Sequence, residues 1–136
     1  KLAALLLVSG CSATTLHSER EPTNRDCNVN RARIRDHENW VAGLAAGHRI
    51  DLRWCNLEGR DLRGSDLRGA LLEGANLRFA DLSGADLRNA DLRRSNLEGS
   101  DLHGARLFGA DLRGAATVGS RLDPKALDGA HLGVDP

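Results

Sequence analysis

The stretch Ala80-Asp81-Leu82-Ser83-Gly84 decides how this chain folds, because close variants of it run without a gap from Ile50 to Val134. A leucine stands at every fifth position from Leu52 to Leu132, and only Thr117 interrupts the series. A period of five suits neither regular structure. On an α-helix it advances about 140° per step, so the leucines would spiral round the axis. On a straight strand an odd spacing throws successive leucines to opposite faces. The chain must therefore turn once per repeat.

The flanking residues say how. With leucine as position i, position i−2 is Ala or Ser in thirteen of seventeen repeats. Position i−1 is Asp or Asn in eleven, and i+2 is Gly in eleven. Over three extended residues, i−2 and i point one way and i−1 the other. A small residue and a leucine then face inward, and Asp or Asn faces water. Gly at i+2 supplies the positive φ of a tight turn. Each five predicts one short strand and one corner.

Columns twenty residues apart suggest four corners to a coil. Asn56, Asn76 and Asn96 are so spaced, as are Asp61, Asp81 and Asp101. Asp51, Asp91 and Asp111 follow the same spacing, with Leu71 in the gap. At i+1, Arg53, Glu73 and Arg93 alternate in sign, as do Glu58, Arg78 and Glu98. Stacked at about 4.8 Å, such neighbours would attract, and stacked asparagines would form amide ladders.

This run resembles the pentapeptide repeat family, whose A(D/N)LXX motif covers about five-eighths of the chain. The resemblance implies an all-β solenoid, a right-handed quadrilateral β-helix. Seventeen fives give about four coils, a rod roughly 20 Å long. The stretch Ala116-Thr117-Val118, Arg106, Arg121 and Asp123-Pro124 depart from the motif, as a terminal coil would. Arg60, at an inward position, is expected in the first coil, reaching out through its open end.

Four segments are expected: a signal-peptide remnant over 1–11, a polar tether over 12–30, a capping helix over 31–48 and the repeats over 50–134. In the third, Ile34, Val41, Leu44 and Ala45 share one helical face. Asn30 is the expected N-cap and Gly47 the residue just past the helix. The helix would cover the first coil, since solenoid ends need caps.

At the start, Leu2 to Val8 is an apolar run behind Lys1, too short to span a bilayer. Val8-Ser9-Gly10-Cys11 resembles a bacterial lipobox, which implies lipidation of Cys11 and a membrane anchor. The alternative is an ordinary signal peptide cut at small residues. Ser12, rather than Asp, after the cysteine resembles the default for outer-membrane sorting. The expected location is thus the bacterial envelope, on an outer membrane, facing the periplasm or the cell surface.

Charge is balanced, with 19 basic and 19 acidic residues. From Ile50 to Leu132 there are 12 basic and 13 acidic residues, a net of −1. That argues against nucleic acid as a partner. It also argues against the rival reading, a DNA mimic that protects a topoisomerase such as gyrase, as some family members do, since such a rod is strongly acidic. His17, His37, His48, His103 and His131 show no metal-ligand spacing, and no cofactor is expected. No nucleophile–base grouping stands out, so the expectation is a non-enzyme. Ser65, Ser95, Ser100 and Ser120 fill alanine positions and read as core.

Two features stay open. Cys27 and Cys55 would both lie in an oxidising compartment, where a bridge persists; equally, Cys55 is a small inward residue in place of Ala, with Cys27 free. Trp54, Leu71, Phe79 and Phe108 stand at corner or outward positions, either as an interaction surface or as local packing between corners. Scaffolding through an unidentified protein partner, with end-to-end pairing of rods, is the functional expectation.

Overall fold

The computed structural model describes residues 27–44 and 47–133. The signal segment, Cys11 and most of the tether lie outside the described residues. Helix α1 (Arg31–Val41) precedes a stack of tight turns that closes with one 3₁₀ turn, Pro124–Leu127.

The stack has the periodicity of the sequence. Asp51 pairs in parallel with Leu71, Leu71 with Asp91, Asp91 with Asp111 and Asp111 with His131. Three further columns run beside it: Asn56, Asn76, Asn96, Ala116; Asp61, Asp81, Asp101, Arg121; and Asp66, Asp86, Arg106. Every step is twenty residues, so the wall has four faces, here numbered 1 to 4 in that order. Each paired stretch is a single residue flanked by turns.

One repeat shows why the backbone accepts so much bending. The amide of Leu82 donates to the Asp101 carbonyl at 2.8 Å, and Gly84 donates to His103 at 2.9 Å. Ala85 closes the turn onto Leu82 at 3.0 Å, and Asp81 donates back to Arg60 at 2.9 Å. The fifth amide, Ser83, would be an orphan. It donates to the Asp81 carboxylate at 3.0 Å. All five donors of the repeat are thus satisfied, as a buried or stacked backbone requires.

The i−1 carboxylates and amides therefore do more than face water. Asn56, Asp66, Asn76, Asp86, Asp91, Asn96, Asp101 and Asp111 accept from the amide two residues on in the same way. Only a short side chain with an acceptor can make this Asx turn. That is the physical content of the Asp/Asn preference.

The leucines from Leu52 to Leu112 are buried and form one continuous column with Ala70, Ala75, Ala80, Ala85, Ala90, Ala105 and Ala110. Ser95 and Ser100 replace alanine and donate their hydroxyls to the Leu92 and Leu97 carbonyls at 2.7 Å. A hydroxyl so engaged is tolerated in the core. Arg60 keeps its backbone in the stack while the residue is exposed.

At the entry, Asn30 caps α1 by accepting from the Arg33 amide at 3.0 Å. The helix ends at Val41, short of the expected range 31–48, with Gly43 at φ 74 after the Ala42 cap. Gly47 is therefore not its terminator; it lies against the Asn39–Trp40 backbone, where no Cβ fits. Leu44, expected on the apolar face, falls beyond the helix and is exposed, while Ala45 lies outside the described residues. His37 takes the buried place instead: its Nδ1 accepts from the Ile50 amide at 3.1 Å. Cys27 and Cys55 form a disulfide with Cα atoms 5.4 Å apart, which ties the chain before α1 to the first coil.

Candidate interaction surfaces

Two devices shape the outer wall. The first is the Asp-Leu-Arg unit. Arginine at i+1 folds back onto the aspartate of its own repeat as a two-pronged fork. Arg88 donates through Nε to one Asp86 oxygen at 2.8 Å and through a terminal nitrogen to the other at 2.6 Å. Asp51–Arg53, Asp61–Arg63, Asp66–Arg68, Asp91–Arg93 and Asp111–Arg113 repeat the geometry. Such bidentate pairs are the strong form of the ion pair.

The forks set the electrostatics. The Arg63 side chain and amide hold Asp61 down at about 2. The partner arginines likewise lower Asp66, Asp86, Asp91 and Asp111. Asp81 has no arginine two residues on; the Ser83 hydroxyl and amide lower it, with Arg63 3.7 Å away across the coil. Stacked aspartates would otherwise repel; the forks neutralise those of faces 1 and 4, and Asp61 on face 3.

The expected cross-coil attraction exists but is secondary. Arg78 meets Glu98 at 3.2 Å, and Arg93 reaches Glu73 at 3.6 Å. Of the expected amide ladder, Asn76 donates to Asn56 at 3.1 Å and also to Glu58 at 3.2 Å.

The second device operates at the corners. Trp54, Phe79, Asn89 and Arg94 occupy i+2 with φ of 56–62°, a conformation ordinarily left to glycine. Trp54, Phe79 and Asn89 each lie over a glycine in the next coil: Gly74, Gly99 and Gly109. Phe108, from i+1, lies over Gly129, and Trp40 of α1 covers Gly69. The bare glycine makes room for the ring above it.

The four residues expected as an interaction surface do not come together. Trp54 and Phe79 sit at successive corners, 44% and 57% exposed. Phe108, 66% exposed, is on face 4, and half-buried Leu71 pairs within face 1. Each is packed on its own neighbours, Phe79 also against Arg78, whose guanidinium is 5.1 Å from the ring centre. The corner pairs have a readable signal: Trp54, Phe79, Asn89 and Arg94 each have a glycine twenty residues on.

Catalytic geometry is not assembled by these residues. The described histidines lie apart: His48 pairs with Asp36 at 3.0 Å and His103 approaches Asp123 at 3.5 Å. Among the described residues no three His, Cys, Asp or Glu converge on a metal position. Nor is any described helix long and apolar enough to cross a membrane. An open groove of about 500 Å³ lies between α1 and the first coil, lined by Ile34, Glu38, Asp61, Leu62 and Ser65 among others.

The family described as Pentapeptide repeats matches residues 50–89 and 75–114, in eight copies. No curated protein matches the chain. Among solved structures, a pentapeptide repeat protein of the Arabidopsis thaliana thylakoid lumen is 33% identical over 52% of this chain and 57% of its own, with a TM-score of 0.44. The chain thus spans little more than half of that protein. One from Nostoc PCC 7120 is 29% identical over 79% of this chain and 99% of its own, TM-score 0.40. One from Cyanothece 51142 is 32% identical over 65% and 62%, TM-score 0.32. Residues 50–114 of this chain are pentapeptide repeats.

Proposed function

We propose that the protein is a non-enzymatic scaffold of the bacterial envelope, anchored through a lipidated Cys11 and carrying a right-handed rod of about four coils. The observation that carries the compartment is the Cys27–Cys55 bridge. Structural disulfides persist outside the cytoplasm and are rare within it. The lipobox-like Val8-Ser9-Gly10-Cys11 supports the anchor, and the polar segment after it would let the rod stand off the membrane. The surface supports the scaffold reading: most of the rod's aspartates cap the backbone and pair with an arginine of their own repeat. A DNA-mimic function needs unneutralised acid columns, whereas Asp51, Asp61, Asp66, Asp86, Asp91 and Asp111 are each paired with an arginine of their own repeat. Val118 and Leu132 are exposed at the C-terminal end, where a second rod would stack end to end.

Fractionation of cells expressing the wild type and Cys11→Ala tests the reading. The wild type should partition with membranes and C11A should be released. A wild type found soluble in the cytoplasm would overturn it.

A further inference from the structure

Face 4 leaves its own pattern after two coils. Its lower coils carry Asp66-Leu67-Arg68 and Asp86-Leu87-Arg88, but the next carries Arg106-Leu107-Phe108. Arginine has no acceptor, so the Phe108 amide loses the Asx cap that the Arg68 and Arg88 amides receive. A local rule given up without local gain is a mark of a functional position.

The surroundings say what the position could serve. The Arg106 guanidinium is 3.9 Å from Asp86, with 68% of its side chain exposed. Both oxygens of Asp86 are already held by the Arg88 fork, so Arg106 retains most of its donor capacity. One coil on, the 3₁₀ turn Pro124–Leu127 replaces a regular repeat and brings Lys125 to the same side. Together they make an open groove of about 420 Å³ lined by Arg88, Arg106, Phe108, Lys125, Ala126 and Asp128, among others. Arg88 is already paired with Asp86, so Arg106 and Lys125 are the cations set against the one lining carboxylate, Asp128, and Phe108 supplies an apolar wall.

We propose that this groove takes an acidic segment of a partner protein: a carboxylate against Arg106 and Lys125, and an apolar neighbour on the Phe108 ring. The inference rests on the protein-interaction reading above and names the chemistry of its partner. Guanidinium forks match carboxylates in shape as well as charge. The groove is open and shallow, suited to a side chain presented by a chain rather than to an engulfed small molecule. The cations are few and local on a rod of balanced charge, which disfavours a nucleic acid or a bilayer.

The test uses the full chain and a fluorescein-labelled peptide of alternating glutamate and leucine, with a glutamine-for-glutamate twin. The glutamate peptide should bind the wild type and weaken with added salt. It should lose roughly tenfold or more in affinity to R106D, as should the twin to the wild type. R106N supplies an acceptor for the Phe108 amide without stacking a second carboxylate on Asp86, so its melting temperature should equal or exceed the wild type while its affinity for the glutamate peptide also falls; lost binding is then not lost folding. R63A, on face 3, should bind normally. Equal affinity for both peptides, unchanged binding by R106D, or no binding to either peptide would overturn the assignment. Preference for phosphatidylglycerol vesicles over the peptide would also overturn it. In-cell crosslinking separates this from the broader reading: partners kept by R106D remove the groove and leave the scaffold, and no partner for either form removes the scaffold.

Discussion

The six-membered ring of Trp54 fills the space that a Cβ on Gly74 would need, one coil away at the same corner. The pair explains two anomalies together: an aromatic residue at φ 62 and a glycine that cannot be replaced.

Gly74→Ala should therefore cost more than Gly84→Ala. Both place alanine in the left-handed region, at about 1–2 kcal/mol. At Gly84 a Cβ meets nothing within 4 Å, whereas at Gly74 it displaces the indole. Urea denaturation of the two variants should differ by about 1 kcal/mol or more, with a shifted tryptophan emission in G74A alone. Equal losses would show that the ring contributes nothing.

Asp86 holds two structural roles that can be separated. Asp86→Asn keeps an acceptor for the Arg88 amide and loses the fork; Asp86→Ala loses both. Each hydrogen bond removed should cost about 1 kcal/mol, so D86A should melt below D86N, and both below wild type. The ranking is read by thermal denaturation at neutral pH.

Acid should act on the two ends of the molecule at different pH. Burial lowers His37 below the ordinary histidine value of 6.5, against the opposing charge of Asp66. A buried neutral histidine contributes stability that is complete above 6.5 and declines as pH falls below it. The aspartates of the rod are lowered from 3.8, Asp61 to about 2. Their contribution is complete above about 4 and is lost as pH falls through the depressed values. The protection of the α1 amides against hydrogen exchange, relative to the unfolded chain, should fall as pH drops below 6.5 while the rod stays protected. His37→Gln should remove the upper step.

The disulfide should matter to the cap and little to the rod. Its loop spans 28 residues, for which chain entropy gives about 3 kcal/mol. Alanine is the ordinary inward residue, so Cys27→Ala with Cys55→Ala leaves the stack intact. The double variant should lose protection in α1, with little change in the melting of the repeats. Concerted loss of both would mean that the cap and rod fold as one unit.

Taken alone, the sequence determined the repeat, the coil of twenty, the inward leucine and small-residue column, and the Asn30 cap. These are local or strictly periodic: a five-residue pattern returns to the same face every fourth turn, and side-chain alternation does the rest. It also placed Cys27 and Cys55 as candidates, without deciding between a bridge and free thiols. Tertiary structure decided what depends on which atoms meet. The end of α1 at Val41 was hidden because the apolar spacing continued through Leu44, while the chain leaves the helix at Ala42 and turns at Gly43. The aspartates looked solvent-facing because alternation gives direction, and only the folded turn shows the orphan amide two residues on. The arginines looked like partners for the next coil, but a carboxylate in the same repeat is nearer and needs no second chain segment held in place. Arg106 looked like terminal decay; its meaning came from Lys125 and Phe108, which the stack alone brings beside it.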